Sequence, residues 1–474
     1  MRLLLCLCVS FFSTLVFGQK VMVSEDISLR NDIAYEVIGK FKGKYLLYRD
    51  KSTEFLVQAF DEKMQQSWEK EIELDKKRPE ALGIIPATDG FKLVYHYKKR
   101  GDTYLKIHQY DAAADLKDSM TITRFDQQFY TPEMDLIYSE DRSKALVYYV
   151  EQNDKLTAVV FDVDKMELLW QHQFTFQETN FSRDFSQILL DDQGDLYIIF
   201  DKNNTKVKQE EHYFSIHHHQ GTAERTMFYN IDLPKYLTYD VYFNYDNLNR
   251  KLVAGGLYSD KNRGHTEGLF YLNISQDAPD DHLLIFHPFE EEFVNTVMGK
   301  KGKGEKGIID CDIQEIVLRR DGGILMIGER NKIYERRMAS NSRGYTDRSG
   351  NPFVVDYYYD DLFVVSVHPN GKVHWKNVLH KKQYSQDDDA IYSSYFLLKT
   401  PKNLRLIFND EISYENTVSE YVINGKGNLD RNSVMSTEDQ ELRLRFRDAL
   451  QTSAKEMIVP SERRNRLKLV KVIY

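Results

Sequence analysis

Three consecutive histidines, His217-His218-His219, with His212 just upstream, come closest in this chain to a metal-ligand set. In an extended strand successive side chains point to opposite faces, so His217 and His219 cannot share a ligand set with His218 unless the chain bends. The surrounding YFSIHHHQG reads as a strand entering a turn, which places these histidines at a solvated strand end. Acidic clusters occur at Asp191-Asp192 with Asp195, at Asp360-Asp361 and at Asp387-Asp388-Asp389. Calcium loops need alternating oxygen ligands closed by a glutamate, a pattern these clusters lack, and DDQGD is hairpin-turn chemistry. The Lys/Gly run KKGKGEKG has no terminal Ser or Thr and no strand-to-helix context, so it is not a phosphate loop. Neither Gly-x-Ser-x-Gly nor His-Glu-x-x-His occurs. No metal, no cofactor and no nameable catalytic residue is expected.

The elements that would position any site are short runs of alternating β-branched and aromatic residues, which read as strands. They pair around tight polar turns centred on Gly43, Gly90, Arg142, Gly194, Arg250, Gly322, Lys402 and Ala454. Successive centres lie 47, 52, 52, 56, 72, 80 and 52 residues apart. A period near fifty with four short strands per unit predicts an all-β propeller of about eight four-stranded blades, with seven blades plus a tail as the alternative. In several units a third strand ends in an Asp or Asn-Gly turn before an aromatic fourth strand, as at Asp61/Trp68, Asp162/Trp170 and Asn370/Trp375. The chain stops one strand short in its last unit, at RLKLVKVIY. The segment Val21 to Asp26 is therefore expected to supply the missing outer strand, closing the ring by pairing N- and C-terminal strands. EDQELRLRFRDAL (438–450) has amphipathic helical spacing.

These repeats resemble the quinoprotein-like and WD40-like propellers, whose units also end in an Asp or Gly turn followed by Trp. Only three of the eight units here carry that Trp, and none has a Gly-His…Trp-Asp signature, so no cofactor site is carried over. The Tyr/Lys/Asp-rich blades and the N-terminus are also similar to uncharacterised periplasmic propellers of Bacteroidota.

That N-terminus places Arg2 ahead of an apolar run from Leu3 to Phe17, with Gly18 before Gln19. Too short to span a bilayer comfortably, the run reads as a signal peptide over residues 1–18, leaving a single domain over 19–474. An exported, periplasmic location is expected, with the cell exterior as the alternative. Cys6 and Cys8 fall inside the run, so the mature chain keeps only Cys311 and the fold must be held by its core. The formal charge of −9 argues against nucleic-acid binding, and no later stretch is apolar for long enough to cross a membrane.

Two insertions cause the long spacings. One, at 289–309, carries Lys300, Lys301, Lys303 and Lys306 among glycines; the other, at 331–360, carries Arg336, Arg337, Arg343 and Arg348 before Tyr357, Tyr358 and Tyr359. The first links blade five to blade six, and the second joins the middle strands of blade six. Both emerge on one face of a propeller, beside the basic turns KKRGD, DKNNTKVK and SDKNRG. A basic, Tyr-rich rim on an acidic protein suits an acidic partner. The expected function is therefore a non-catalytic binding or scaffold protein engaging a protein partner, secreted or of an outer-membrane transport or secretion machine. A propeller hydrolase or lyase acting on an acidic glycan or peptide is the alternative. It requires carboxylates or histidines to converge at the central channel.

Overall fold

The computed structural model describes residues 19–474 apart from Lys77, 127–131, 206–210, 234–235, 261–264, 300–305, 338–344, 347–351, 411, 413–416 and 439–440. Eight antiparallel sheets form a ring, and all eight turn centres read from the sequence join the first to the second strand of a blade. Gly194 (φ 87°) and Gly322 (φ 83°) hold left-handed turn positions that side chains resist. Arg142 (58°) and Arg250 (53°) adopt that conformation at the corresponding turns of their blades. The third-to-fourth turns are built as their residues predict. Asp61 Oδ1 accepts from the N–H groups of Lys63 (2.8 Å) and Gln65 (2.9 Å), and Asp111 Oδ1 accepts likewise from Ala113 and Asp115. The aromatics that follow reach the next blade: Trp170 Nε1 donates to Gly194 O (2.9 Å) and Trp375 Nε1 to Gly425 O (3.2 Å).

The first strands of the blades line the axis, where most of them touch the first strands of the neighbouring blades. Six of them, in blades one, two, four, five, six and eight, carry a β-bulge against the second strand. The middle strands are buried on both faces, so apolar side chains are covered only when the next blade packs against them. Eight of the apolar clusters sit one per interface between blades. Phe91, Leu93 and Tyr95 meet Leu46, Tyr48 and Val57 between blades one and two. At the closing interface Leu467 and Leu469 meet Tyr45, Leu47 and Phe60.

Closure follows the expected scheme. Lys20–Val23 pairs antiparallel with the last strand, Arg466–Ile473, in the register Lys20↔Ile473 to Val23↔Val470. The strand does not continue evenly to Asp26. Ser24 exchanges two hydrogen bonds with Leu469, the pairing breaks, and it resumes at Ile27–Ser28.

Two readings are corrected. The 438–450 segment forms no α-helix among its described residues. Leu442, Leu444 and Phe446 are buried alternately, as an extended segment requires, with one short 3₁₀ turn at Phe446–Asp448. Conversely, the first insertion contains the helix Glu291–Met298, which buries Phe293, Val294, Val297 and Met298 against the core of blades five and six. That i, i+1, i+4, i+5 spacing was visible in EEFVNTVM.

A chain beginning at Leu29 would leave the edge of Arg466–Ile473 unpaired. We expect a lower melting temperature and self-association on size-exclusion chromatography. A monomer of unchanged stability would show that the N-terminal strand does not hold the ring shut.

Candidate functional site

The histidine run lies on the third strand of blade four, Tyr213–Gln220, as expected, but not at a solvated end. His218 and His219 are buried. His218 stacks on Tyr197 (4.2 Å between centroids) beside Asp195, while His219 lies among Trp170, His172 and Phe174. His217 sits between Phe176, Phe200 and Phe228. Burial pulls the His217 and His219 imidazoles down to about 4, so both are neutral aromatic fillers at neutral pH. Among the described residues no three His, Cys, Asp or Glu side chains converge as a metal site.

The second insertion is an extension of blade six. Its second and third strands run on as Ile324–Arg337 and Pro352–Val367, and Gln383–Gln386 adds a further strand beside them. Alternation sorts the side chains of this extension. One face carries Lys332, Tyr334 and Arg336 next to Tyr358 and Tyr384, paired in the register Lys332↔Tyr358↔Tyr384. Tyr334 is 53% exposed and Tyr384 38%, and the Tyr358 and Tyr384 rings lie 5.0 Å apart. Buried Asp356 organises the face, accepting from Arg336 Nε (2.5 Å) and Tyr384 Oη (2.8 Å). On the other face the Tyr357 and Tyr359 side chains are covered, packing on Ala390 with Tyr357 Oη donating to Asp389 (3.1 Å), while Ile333 opposite Tyr357 stays 59% exposed. Asp387 and Asp388 also serve as tethers, accepting from Val355 N–H (2.9 Å) and from Ser385 Oγ (2.8 Å).

Of the nine residues singled out from the sequence, Arg336 and Tyr358 thus stand on the outward face and Tyr357 on the covered one. The Arg337 side chain and Lys300, Lys301, Lys303, Arg343 and Arg348 lie outside the described residues. Lys332, Tyr334 and Tyr384 join the face unforeseen. The first two were legible as the alternation K-x-Y-x-R, whereas Tyr384 comes from a strand that only the fold brings alongside. The first insertion is adjacent: Arg330 Nη1 donates to Val297 O (3.3 Å), and the Phe293 and Phe363 rings are 5.7 Å apart.

The extension is rooted in a fully buried ion pair, Lys381 Nζ to Glu329 Oε1 at 2.5 Å. Ser394 Oγ donates to Glu329 (2.7 Å), and the ammonium also donates to Tyr359 O (3.1 Å) and Gln383 Oε1 (2.9 Å). The opposite charge and these hydrogen bonds together compensate a charge held in the core.

In the channel, carboxylates from two blades do converge. Asp240 lies in the bulge of Leu237–Asp246 with φ 48°, and it shares a hydrogen bond with Asp312 of Cys311–Leu318. Burial first, and then the Asp312 charge, pushes the Asp240 carboxyl up to about 7. The pair can therefore hold one proton at neutral pH, as acid–base chemistry would need. At the first-to-second turns, Asp141 N–H donates to Asp192 (3.1 Å), Asp192 N–H to Asn247 (3.0 Å) and Asn247 Nδ2 to Glu140 (3.0 Å). These carboxylates lock neighbouring turns together. Asp191 accepts from Gln193 and Asp195 N–H groups, which is the turn role read from DDQGD.

No family model and no curated protein matches the chain. Among solved structures it is similar to Porphyromonas gingivalis dipeptidyl peptidase 4, at 10% identity and a TM-score of 0.44, covering 92% of this chain and 56% of that one. It is also similar to the β-propeller domain of the Trilobed protease from Pyrococcus furiosus (10% identity, TM-score 0.37, 85% and 98% covered). The WD40 domain of SCAP from fission yeast matches at 8% identity and a TM-score of 0.34, with 95% and 98% covered. These likenesses are of fold alone.

Glu329→Ala leaves the Lys381 ammonium buried without its carboxylate, and should lower the unfolding free energy by about 3–5 kcal/mol in urea titrations. A loss under about 1 kcal/mol would mean that water reaches the pair. The Asp240 pair predicts a pH dependence. Asp240 keeps its proton to about 7 in the fold, whereas an unfolded aspartate releases it near about 4. The folded state thus binds more protons across that window, and stability from this group is lost as pH rises through it. Asp240→Asn should gain stability relative to the parent at pH 8 but not at pH 4; an equal difference at both would exclude the shared proton.

Proposed function

We propose that this protein is a non-catalytic binding protein of the periplasm or cell exterior, which holds an acidic segment of a protein partner on the outward face of the blade-six extension. The observation that carries the reading is that face itself, where Lys332, Tyr334, Arg336, Tyr358 and Tyr384 stand together on a rigid sheet. Tyrosine and arginine contribute large contact area and directed hydrogen bonds at little entropic cost, the composition of productive interfaces. The exposed turn residues Lys99 and Arg100 belong to the same end of the propeller. The signal-like N-terminus supports export, and a component of an outer-membrane transport or secretion machine is the form of partner we favour.

A second reading, a hydrolase or lyase acting on an acidic glycan or peptide, is favoured by one observation. The Asp240–Asp312 pair places a proton-sharing carboxylate couple in the channel wall.

The test is affinity purification of the mature protein from its native envelope in mild detergent, alongside the Lys332→Glu/Tyr334→Ala variant. One near-stoichiometric partner should accompany the parent and fall at least about tenfold with the folded variant. A partner retained by the variant, or a clean monomer from both, overturns the reading. Turnover of an acidic glycan or peptide that survives this variant but is lost in Asp312→Asn would establish the second.

A further inference from the structure

Most first strands pack closely against their neighbours around the axis, but those of blades six, seven and eight are linked through side chains instead. Lys399 Nζ bonds Glu315 Oε1 (2.9 Å), and Gln451 exchanges two hydrogen bonds with the Lys399 backbone (3.0 and 2.7 Å). A cavity of about 510 Å³ opens there, lined by Gln314, Glu315, Tyr395, Phe396, Lys399 and Arg447 among others. Its volume lies in the range of small-ligand sites.

The charges of this cavity are unequal in a way that specifies a ligand. Lys399 and Glu315 neutralise each other. Arg445, two residues from Arg447, is consumed structurally by Asp448 (2.5 Å) and Glu462. Arg447 has no carboxylate partner among the described residues. Its guanidinium instead lies 4.9 Å from the Tyr359 ring centroid, a contact that orients the group without neutralising it. The cavity therefore offers one uncompensated, oriented, bidentate cation. Such a fork matches a planar carboxylate. A phosphate ester would bring a second negative charge toward Glu315, so a monoanion is favoured.

The rest of the lining suits a polyhydroxylated ring. Gln314, Glu315 and Lys399 present side-chain donors and acceptors able to bridge neighbouring hydroxyls. Half-buried Phe396 offers an apolar surface for a ring face. Tyr395, almost wholly buried, also lines the cavity, and burial pushes its phenol up so that it stays neutral there.

We propose that this cavity in the channel wall binds a uronate-type sugar, with the carboxylate on Arg447 and the ring hydroxyls on Gln314, Glu315 and Lys399. The site touches the blade-six extension only through Tyr359 of its covered face, lies apart from the outward face, and requires no turnover.

The test is titration of the mature protein with sodium D-glucuronate, sodium D-galacturonate, D-glucose, sodium acetate and glucose 6-phosphate by calorimetry. At least one uronate should bind, with glucose and acetate each at least about tenfold weaker, since each lacks half of the recognised chemistry. Glucose 6-phosphate should be weaker than that uronate as well. Arg447→Met should weaken the uronate at least about tenfold at an unchanged melting temperature. Arg447→Lys keeps the charge but loses the fork, and should fall between the two. If Arg447→Met unfolds, Lys399→Met/Glu315→Gln, which removes the neutral pair, must weaken the uronate instead. The proposal is overturned if neither uronate binds, if glucose or glucose 6-phosphate binds as well as the better uronate, or if the folded Arg447 variants bind like the parent. Partner capture by Arg447→Met should match the parent, so this inference and the partner reading fail separately.

Discussion

A four-stranded antiparallel sheet whose middle strands are apolar on both faces cannot be stable alone in water. In this chain the second and third strands of each blade are buried almost throughout, as in Phe55–Phe60 and Lys155–Asp162. Each blade must therefore be sandwiched by two others, and only a ring satisfies that demand for all of them. The eight inter-blade clusters are this single requirement repeated. Closure is its last instance: Lys20–Val23 completes the final sheet, so Leu467 and Leu469 of that sheet can cover Tyr45 and Leu47 of blade one. With Cys311 the one free cysteine described, the ring is held by burial and by that pairing rather than by a disulfide.

Ring geometry also decides where chemistry can be placed. First strands crowd around the axis and accommodate the crowding through bulges, which bend the strand and re-aim side chains. Asp240 sits in such a bulge and meets Asp312 from the next blade, a contact that neither strand could make in isolation. Where the first strands separate, between blades six and eight, side chains replace backbone proximity and leave room for the Arg447 cavity. Pairing of Arg445 and freedom of Arg447, on one short turn, divide structural from available charge.

The blade-six extension shows how a sheet carries a surface beyond the ring. Its base is the Glu329–Lys381 pair, and its covered face is tethered by three consecutive aspartates that look in isolation like an ion site. Those carboxylates are occupied with backbone and hydroxyl donors. Asp356, buried beneath Arg336 and Tyr384, likewise spends its charge on holding the outward face in order.

The sequence alone determined the repeat, the eight turn positions, the strand class and the closing partner of the last strand. Those features depend on local chemistry: alternation of apolar residues, turn residues with the required backbone freedom, and a count of strands per unit. The histidine run was placed on the right strand, yet its burial was not legible, because only the neighbouring blade supplies Trp170, His172 and Phe174 around His219. The spacing of 438–450 suited a helix, but its three large apolar residues are buried by an extended path. Tertiary structure alone decided that Tyr358 rather than Tyr357 faces outward, that Tyr384 joins that face, and that Asp240 meets Asp312. Each of these depends on register between segments distant in sequence, and register is set by what each face must bury once the ring has closed.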